Sequence, residues 1–308
     1  MSIKNISKVL VIGDVMLDIY ISGTANRLSP EAPVPVLQVH NEHCVLGGAA
    51  NVANNLSGLG INCGVFGFKG EDQNSIILDN LFKDKSIDNL TFTSSVSTIT
   101  KTRIVAQKQQ IVRLDREVNF NNPSKAKLAY EKIIKKFKNG YLIISDYGKG
   151  LCSQEFLSHV FLQSKLLNIK SFVDPKGNKW EKYKGAFLVK PNVKELSDIL
   201  GFELENEDDA IVHYGRNIME KYNIENLLIT RSENGMTLLR QNDFMHFHSE
   251  AKEVYDVSGA GDTVIATLVL GLLEGKNIYD ATKLANTAAG IVVGKFGTAN
   301  INKKELRL

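Results

Sequence analysis

The clearest chemical signal in the chain is a glycine-rich segment near its carboxyl end, residues 256–263, which reads DVSGAGDT. A segment of helical period follows, with apolar side chains on one stripe and Gly275 at its predicted end. The N-terminus of a helix presents free backbone N–H groups and the positive end of the helix dipole, and glycine lets an anion approach without a Cβ in the way. Gly259, Ala260 and Gly261 are therefore candidates for an anion-binding turn.

Asp262 lies inside this turn and could act as a catalytic base. A carboxylate beside a bound phosphate can accept a proton from an attacking hydroxyl, while the turn stabilises charge on the transferring phosphoryl group. The alternative is an acid in the first helical turn that only stabilises the helix. The segment matches neither the Walker loop nor the dinucleotide fingerprint, so these residues alone leave both interpretations open.

A second glycine cluster opens another predicted helix, far upstream in the chain. Gly47 and Gly48 would let a ligand come close, and the Asn51 amide offers both a donor and an acceptor, which suits the hydroxyls of a polyol. Tight packing of helix against sheet would explain the same small residues. Asp14 and Asp18 follow the first predicted strand, where their carboxylates could hold sugar hydroxyls or serve in turns.

Apolar segments that predict buried strands alternate with segments of helical period. The predicted strands are 8–13, 62–66, 141–145, 170–173, 186–189 and 226–230, and the predicted helices are 47–59, 74–82, 124–137, 153–166, 193–200 and 208–221. This alternation indicates one α/β domain over residues 1–308, with a mostly parallel sheet between helical layers. In such sheets ligands lie at the carboxyl ends of the strands.

Two segments interrupt the alternation. Residues 18–40 contain two extended pieces around a proline-rich stretch, and residues 98–116 are rich in Thr, Ile, Val and Gln with a tight turn predicted near Lys108–Gln109. Neither segment has a helix between its extended pieces. The simplest interpretation is a small β-sheet built from both insertions, which stands over the main domain as a lid.

Composition excludes several classes of protein. The 308 residues carry 37 basic and 34 acidic side chains, so the net charge of +3 is too near neutrality for a protein that binds nucleic acid. No stretch approaches the ~20 apolar residues that span a bilayer, so we expect no membrane partner. Cys44, Cys63 and Cys152 form no CxxC pair and predict reduced thiols in a cytoplasmic protein.

Together, GGAANVA at 47–53 and DVSGAGDT at 256–263 resemble the paired motifs of the ribokinase-like (PfkB) family of small-molecule kinases. The resemblance implies a three-layer αβα fold with a β-sheet lid and ATP as phosphoryl donor. It also implies a sugar beside the first motif, and an anion hole with a catalytic aspartate in the second. Val257 stands where many members carry threonine, whereas the glycines and Asp262 are kept.

Further segments narrow the resemblance to the heptose-7-phosphate kinase branch. They are VIGDVMLD at 11–18, SPEAPVPV at 29–36, RLDRE at 113–117, SDYGKG at 145–150, VDPKG at 173–177, TRSENGM at 230–236 and EVYD at 253–256. The branch converts D-glycero-D-manno-heptose 7-phosphate to the 1,7-bisphosphate for the inner core of lipopolysaccharide. In many bacteria this kinase is fused to a nucleotidyltransferase, and the sequence leaves open a monofunctional kinase or an excised kinase domain.

The branch's nucleotide site includes an Asn-x-x-Glu motif. Its counterparts here are Asn192, Val193, Lys194 and Glu195. The resemblance implies that Asn192 and Glu195 help to place the triphosphate and Mg²⁺, with Glu195 reaching the metal through water. The residues themselves equally predict an Asn N-cap with Glu at the third helical position, a capping box. The other implied nucleotide-binding candidates are Thr230, Ser232, Gly235 and Asn286.

The phosphate of such a substrate needs a cation. The candidates are Arg27, Lys101, Arg103, Arg113, Lys149 and Lys176. Arginine can bind phosphate with two parallel hydrogen bonds, so Arg103 and Arg113 on the predicted lid lead, although each alone is ordinarily a solvated surface charge. The predicted lid has exposed sheet edges, and the resemblance implies that such edges pair two copies of the chain into a homodimer. The competing interpretations are another sugar or sugar-phosphate kinase of this fold, and a non-catalytic sugar- or nucleotide-binding regulator.

Overall fold

The computed structural model describes residues 8–107, 109–251, 253–295 and 301–306. The strands are β1 (Val9–Gly13), β2 (Val15–Leu28), β3 (Pro35–Gly48), β4 (Cys63–Phe66), β5 (Phe68–Lys69), β6 (Asp88–Asn89), β7 (Phe92–Thr93), β8 (Ile99–Ala106), β9 (Gln109–Arg116), β10 (Tyr141–Ser145), β11 (Lys170–Asp174), β12 (Leu188–Val189), β13 (Asn226–Thr230), β14 (Met236–Arg240) and β15 (Phe244–Phe247). The helices are α1 (Ala49–Gly58), α2 (Gln73–Asp84), α3 (Pro123–Glu131), α4 (Gln154–Leu166), α5 (Val193–Leu200), α6 (Asp208–Tyr222), α7 (Ala260–Leu273) and α8 (Ile278–Val292).

The main sheet has nine strands in the order β15-β14-β13-β12-β11-β10-β1-β4-β6. All neighbours from β13 to β6 are parallel, and β14 and β15 add an antiparallel edge. Central strands such as β1 are buried along their whole length, which explains their continuous apolar sequences. The predicted mostly parallel sheet is confirmed.

Helices cover both faces of this sheet. Along β1, Val9 and Val11 pack into one apolar cluster with α1, α2, α7 and α8, whereas Leu10 and Ile12 pack into a second cluster with α3 to α6. Successive side chains of a strand point to opposite faces, so a fully apolar strand supplies both clusters. The three-layer arrangement follows from this double burial.

The segments that interrupt the alternation form a second sheet of four strands, β3-β2-β8-β9, which we call the small sheet. β2 begins directly after Asp14, so the small sheet is rooted at the carboxyl end of β1. β3 runs antiparallel to β2, β8 runs parallel to it, and β9 is antiparallel to β8. Of the turn predicted near Lys108–Gln109, Lys108 lies outside the described residues.

The largest differences between prediction and structure concern two predicted helices and one hairpin. The helix predicted over 124–137 ends at Glu131, and a 3₁₀ turn follows at Ile134–Phe137, whose i,i+3 spacing places Ile134 and Phe137 in the core. The helix predicted from Gly47 begins at Ala49 because Gly47 and Gly48 still pair with β2. The hairpin of β14 and β15 was not predicted.

Candidate active site

A cleft of about 580 Å³ lies at the carboxyl ends of β10 to β13 and beside the N-terminus of α7. Its lining includes ten of the predicted site residues: Asn192, Glu195, Thr230, Ser232, Gly235, Gly259, Ala260, Gly261, Asp262 and Asn286. Val193 and Lys194 of the Asn-x-x-Glu motif do not line it, since Val193 packs against the core and Lys194 is exposed. The structure thus brings the predicted nucleotide and anion residues to one place.

The glycine turn leads into α7 through a backbone that requires glycine. Gly259 has φ +81° and precedes a helix without a side-chain cap; Ala260 N donates to the Val257 carbonyl at 3.2 Å, and no capping side chain occupies the N–H groups of Gly261 and Asp262 at the cleft. A Cβ on Gly261 would lie 2.9 Å from Lys190 Nζ. The turn therefore has the geometry of an anion site at a helix N-terminus, with a cation beside it.

Asp262 is buried, with 4% of its surface exposed, and it joins the two glycine motifs. Asn51 Nδ2 donates a hydrogen bond of 2.7 Å to Asp262 Oδ2, and the Tyr147 hydroxyl lies 3.4 Å from Oδ1. The Thr263 hydroxyl donates to Asn55 Oδ1 at 3.0 Å, which fixes α7 against α1. An acid that only stabilised a helix dipole would need neither burial nor these partners.

The pKa of Asp262 is raised to about 7, chiefly by burial and then by the nearby Asp174 carboxylate. Hydrogen bonds from Asn51 and Tyr147 and the charge of Lys190 act in the opposite direction and are outweighed. A carboxylate with this pKa is ionised in about half of the molecules at neutral pH and is a stronger base than an ordinary aspartate. The site can therefore accept a proton near neutrality.

Lys190 was missed by the sequence analysis. It is 4% exposed and its Nζ lies 3.0 Å from Asp174 Oδ1. Burial lowers the pKa of Lys190, but Asp174, Glu195 and Asp262 outweigh it and raise that pKa, so the ammonium stays charged. A lysine directly after the apolar strand β12 could have been noticed, because the carboxyl ends of parallel strands face the ligand.

Asn192 and Glu195 form the predicted capping box at the start of α5. Glu195 N donates to Asn192 Oδ1 at 2.8 Å, and Asn192 N donates to Glu195 Oε2 at 3.0 Å. The other oxygen of Glu195, Oε1, is not used in the capping box and lies 3.7 Å from Lys176 Nζ in the lining of the cleft. The pKa of Glu195 is raised by burial and then by Asp174. Capping and a cleft-facing carboxylate thus coexist in one residue.

A divalent cation could bind near the carboxylates of Asp174, Glu195 and Asp262 only if phosphate or water oxygens completed its coordination. The charge of Asp174 raises the pKa of both Glu195 and Asp262, an effect that a nearby cation would relieve. Within the described residues, however, no three His, Cys, Asp or Glu side chains are placed to hold a metal ion by themselves. A cation here would need oxygen ligands from phosphates and water, which Mg²⁺ accepts readily.

The turn from Thr230 to Gly235 is held from behind by the buried Arg231, which the sequence analysis also missed. Arg231 Nε donates to Asn206 Oδ1 at 2.8 Å, and Nη1 donates to Asp208 Oδ1 at 2.5 Å. Nη2 donates to the Asn206 carbonyl at 2.8 Å. These bonds fix a turn in which Ser232 has a φ of +52°, so the turn is shaped by its support rather than by local preference.

Asn286 lies on α8 in the wall of the cleft. Its Nδ2 donates to the His248 carbonyl at 2.7 Å, and the residue is 4% exposed. This bond directs the amide and fixes the strand-to-turn segment after β15.

Asp14 has different contacts from those expected of a sugar ligand. It is completely buried, and its carboxylate accepts backbone N–H groups of Tyr147, Lys149 and Leu151 at 3.0, 3.0 and 3.4 Å. Burial, followed by the charge of Asp146, raises its pKa to about 6 against the effect of these bonds. Asp14 thus fixes the 146–151 loop, which carries Tyr147 to Asp262.

Asp18, Gly47 and Arg103 meet at the root of the small sheet. Arg103 Nη1 lies 3.3 Å from Asp18 Oδ1, and a Cβ on Gly47 would lie 2.9 Å from Asp18 Cγ. Gly48 has φ +57° and its Cβ would meet the Asp14 carbonyl at 2.3 Å, so neither position accepts a side chain. Close approach to Asp18 explains Gly47, and close approach to the Asp14 carbonyl with a positive φ explains Gly48.

Arg113 lies across from Arg103 in the register of β8 and β9. It donates two hydrogen bonds to Asp115, at 2.8 and 2.9 Å, and its side chain is 48% exposed. The side chain of Arg103 is therefore mostly buried beside Asp18, at 17% exposure, whereas that of Arg113 is about half exposed.

Among the described residues no helix is both long and apolar enough to cross a bilayer.

Comparison with solved structures gives the fold. The chain superposes on Escherichia coli phosphofructokinase-2 with a TM-score of 0.83 at 17% identity, covering 98% of this chain and 97% of that one. It superposes on Thermotoga maritima ribokinase with a TM-score of 0.73 at 20% identity, covering 97% of both chains. The protein therefore has the ribokinase-like fold that its motifs predicted.

Comparison with curated sequences finds relatives of higher identity than these solved structures. The chain is 46% identical over 303 residues to the bifunctional protein HldE of Actinobacillus succinogenes, covering 97% of this chain and 63% of that protein. It is 41% identical over 303 residues to the bifunctional protein HldE of Nitratiruptor sp., covering 97% and 64%. The chain thus spans less than two thirds of these relatives' length.

A family model described as pfkB family carbohydrate kinase matches residues 6–305. This range contains both glycine motifs and the whole cleft described above. The chain belongs to the pfkB family of carbohydrate kinases, which are ATP-dependent sugar kinases.

Proposed function

We propose that this chain transfers the γ-phosphoryl group of ATP to O1 of D-glycero-D-manno-heptose 7-phosphate, giving the 1,7-bisphosphate. The product would be a precursor of ADP-heptose for the lipopolysaccharide inner core, made in the cytoplasm. The likeness to bifunctional HldE proteins supports the substrate, and this proposal concerns the phosphoryl transfer only.

The observation that carries the proposal is the hydrogen bond between Asn51 and Asp262, which are separated by 211 positions. It brings the motif with sugar-binding chemistry beside the motif with anion-binding chemistry. A hydroxyl held near Asn51 would therefore meet a phosphate held at Gly259–Gly261 next to the Asp262 carboxylate.

In the proposed reaction Asp262 takes the proton of the sugar O1 hydroxyl. O1 forms the new bond to the γ-phosphorus, and the bond from that phosphorus to the β,γ-bridging oxygen breaks to release ADP. The N–H groups of the glycine turn and the ammonium of Lys190 stabilise charge on the transferring group. The small sheet, as a lid, keeps water from competing as the acceptor.

The nucleotide would lie along the cleft wall formed by Thr230, Ser232, Gly235 and Asn286. Asn192 and Glu195 would place the triphosphate, with Glu195 holding Mg²⁺ through water. The bound Mg²⁺ supplies positive charge that offsets the phosphates. The raised pKa of Glu195 supports this role, because burial and the charge of Asp174 disfavour its ionised form and make additional positive charge favourable there.

The test is a phosphate-transfer assay across heptose 7-phosphate, fructose 6-phosphate, fructose and ribose, with the phosphorylated position identified by phosphorus NMR. We expect a strong preference for heptose 7-phosphate and a product phosphorylated at O1. A preference for an unphosphorylated sugar would assign the chain to another branch of the fold. Binding of sugar and nucleotide without ATP consumption would favour a non-catalytic regulator.

We also propose a homodimer through the small sheet. Its outer face carries apolar side chains that remain partly exposed, including Val112 at 42% and Leu114 at 54%, in register with Ile104 and Thr102. A second copy would cover them. Sedimentation of the protein should give a dimer, and Leu114→Lys should shift it to the monomer; a wild-type monomer at assay concentration contradicts the proposal.

A further inference from the structure

One face of the small sheet carries a set of opposite charges that the phosphoryl transfer itself does not use. Cross-strand register places Asp18 beside Lys101, Lys101 beside Asp115, and Arg103 beside Arg113. Directly opposed side chains share one face of a sheet, so these groups lie together. We call this set, with Glu117 after β9, the charged face.

Two carboxylates of the charged face hold three cations. Asp115 accepts both hydrogen bonds from Arg113 and lies 3.4 Å from Lys101 Nζ. Glu117 lies 3.3 Å from Lys101 Nζ and 2.5 Å from Lys149 Nζ on the 146–151 loop. The small sheet is therefore tied to the main domain through carboxylates that neutralise its basic groups.

Beside these pairs, two buried polar atoms lack a hydrogen bond. Asp18 Oδ1 and Arg103 Nη1 are 3.3 Å apart, close enough for an ion pair, yet neither has a partner in hydrogen-bonding geometry. Buried polar groups without hydrogen bonds are costly, so such a pair indicates a ligand that completes them. A sugar hydroxyl would donate to Asp18, and a phosphate oxygen would accept from Arg103.

We propose that Asp115 and Glu117 act as exchangeable counterions, which hold Lys101, Arg113 and Lys149 until the phosphate of a phosphorylated sugar replaces them. The inference rests on the proposed function, since it assigns the phosphate of that substrate to the charged face. Asp115 and Glu117 are 23% and 37% exposed, so water solvates them when they are released. An unphosphorylated sugar cannot replace them, and the ion pairs therefore favour phosphorylated substrates.

The test uses Asp115→Asn in the otherwise intact chain, with inorganic phosphate as the probe in isothermal titration calorimetry at low ionic strength. We expect binding about three- to fivefold tighter than wild type, because an exposed ion pair that must be broken is worth up to about 1 kcal/mol. Glu117→Gln should tighten binding in the same direction. The KM for heptose 7-phosphate should fall, and the KM for ATP should not change.

Asp243→Asn is the matched control. Asp243 also pairs with an arginine, Arg240, at 3.5 Å, but it lies beyond β14 on the main sheet. The same charge change there should leave phosphate binding at the wild-type value. Equal tightening in this control would mean that only the net charge of the protein matters, and would overturn the proposal.

The exchange is also overturned if Asp115→Asn binds phosphate no more tightly than wild type, or if neither protein binds it. Weaker binding would make Asp115 a ligand of the substrate itself. These readouts are independent of the proposed function, which is judged by the substrate panel of the wild-type enzyme. A wild type that prefers heptose 7-phosphate while Asp115→Asn shows no gain would refute the exchange alone.

Discussion

The cleft and the charged face of the small sheet both concentrate acidic and basic side chains, but they hold them differently. In the cleft, Asp262 and Lys190 are each 4% exposed, and the pKa of Asp262 is raised to about 7 by burial and then by Asp174. On the charged face, the side chain of Asp115 is 23% exposed. Partial burial raises the pKa of Asp115, but the hydrogen bonds and charges of Arg113 and Lys101 outweigh it, so that pKa is lowered.

The difference separates two uses of charge. In a buried site charges interact strongly and cannot be solvated, so small rearrangements tune a proton acceptor. Near the surface, water and salt screen each pair, so the pairs are weak and can be exchanged for a ligand. Buried charges suit chemistry, and exposed charges suit selection of the substrate.

The largest effect is expected from Asp262→Asn. Loss of the proton acceptor should lower kcat by roughly 10²–10⁴-fold while the fold is kept, since the amide can still bond to Asn51. The matched control is Asp280→Asn, which changes a first-turn acid of α8 that does not line the cleft. Steady-state kinetics of both variants decides whether Asp262 is a catalytic base or an acid that only stabilises its helix. Equal losses of kcat in the two variants would favour the helix-stabilising role.

The next largest effect concerns stability and compares the two regions directly. Asp14→Asn should lower the free energy of unfolding by about 2–3 kcal/mol, because the buried carboxylate accepts N–H groups of the 146–151 loop with both of its oxygens, whereas an amide has one acceptor oxygen and turns its NH₂ group toward a donor. Asp115→Asn should cost less than about 1 kcal/mol, as an exposed pair. Urea unfolding measures both, and similar losses would remove the distinction between the regions.

Arg231 tests how the nucleotide wall is positioned. Arg231→Met removes the support of the Ser232–Gly235 turn and should raise the KM for ATP about tenfold, with the KM for the sugar unchanged. Arg231→Lys should recover part of the ATP affinity because it keeps the charge beside Asp208. A variant that raises both KM values equally, or lowers only the melting temperature, would show that Arg231 supports the fold in general.

The smallest effect is a change in pH dependence. Asp262 must be ionised to accept a proton, so kcat/KM should rise with pH and level off above about 7. Asp174→Asn removes the negative charge that raises the pKa of Asp262, while the positive charge of Lys190 remains. The pKa of Asp262 should therefore fall, and the rising limb of the profile should move about one unit to lower pH. A limb that stays in place, or moves to higher pH, would assign the titration to another group.

Much of the main domain could be predicted from the sequence because its elements carry strong local signals. Strands 141–145 and 226–230 and helix 193–200 were predicted with the bounds that the structure has. Continuous apolar strands and periodic helices are decided by burial, which the pattern of residue types reports directly. The prediction of a single helix over 124–137 was wrong, because packing of Ile134 and Phe137 in the core selects a 3₁₀ turn at Ile134–Phe137.

The candidate site was predicted unevenly. The glycine turns, Asp262 and the Asn-x-x-Glu motif carry short-range signals, since glycine and capping residues report backbone conformation. Lys190 carries only the weak signal of its place directly after an apolar strand, and Arg231 carries none, since a lysine or an arginine in a sequence is normally a solvated surface charge. Their importance comes from partners such as Asp174 and Asn206, which only the folded chain brings close.

The sequence by itself determined the types of chemical group and the order of strands and helices, because both depend on local composition and period. Only the tertiary structure decided which groups meet. It paired Asn51 with Asp262, buried Asp14 under a loop, and left Asp115 in water. The physical reason is that a charge acquires its pKa, and its capacity to exchange partners, from its surroundings, and those surroundings are assembled from distant parts of the chain.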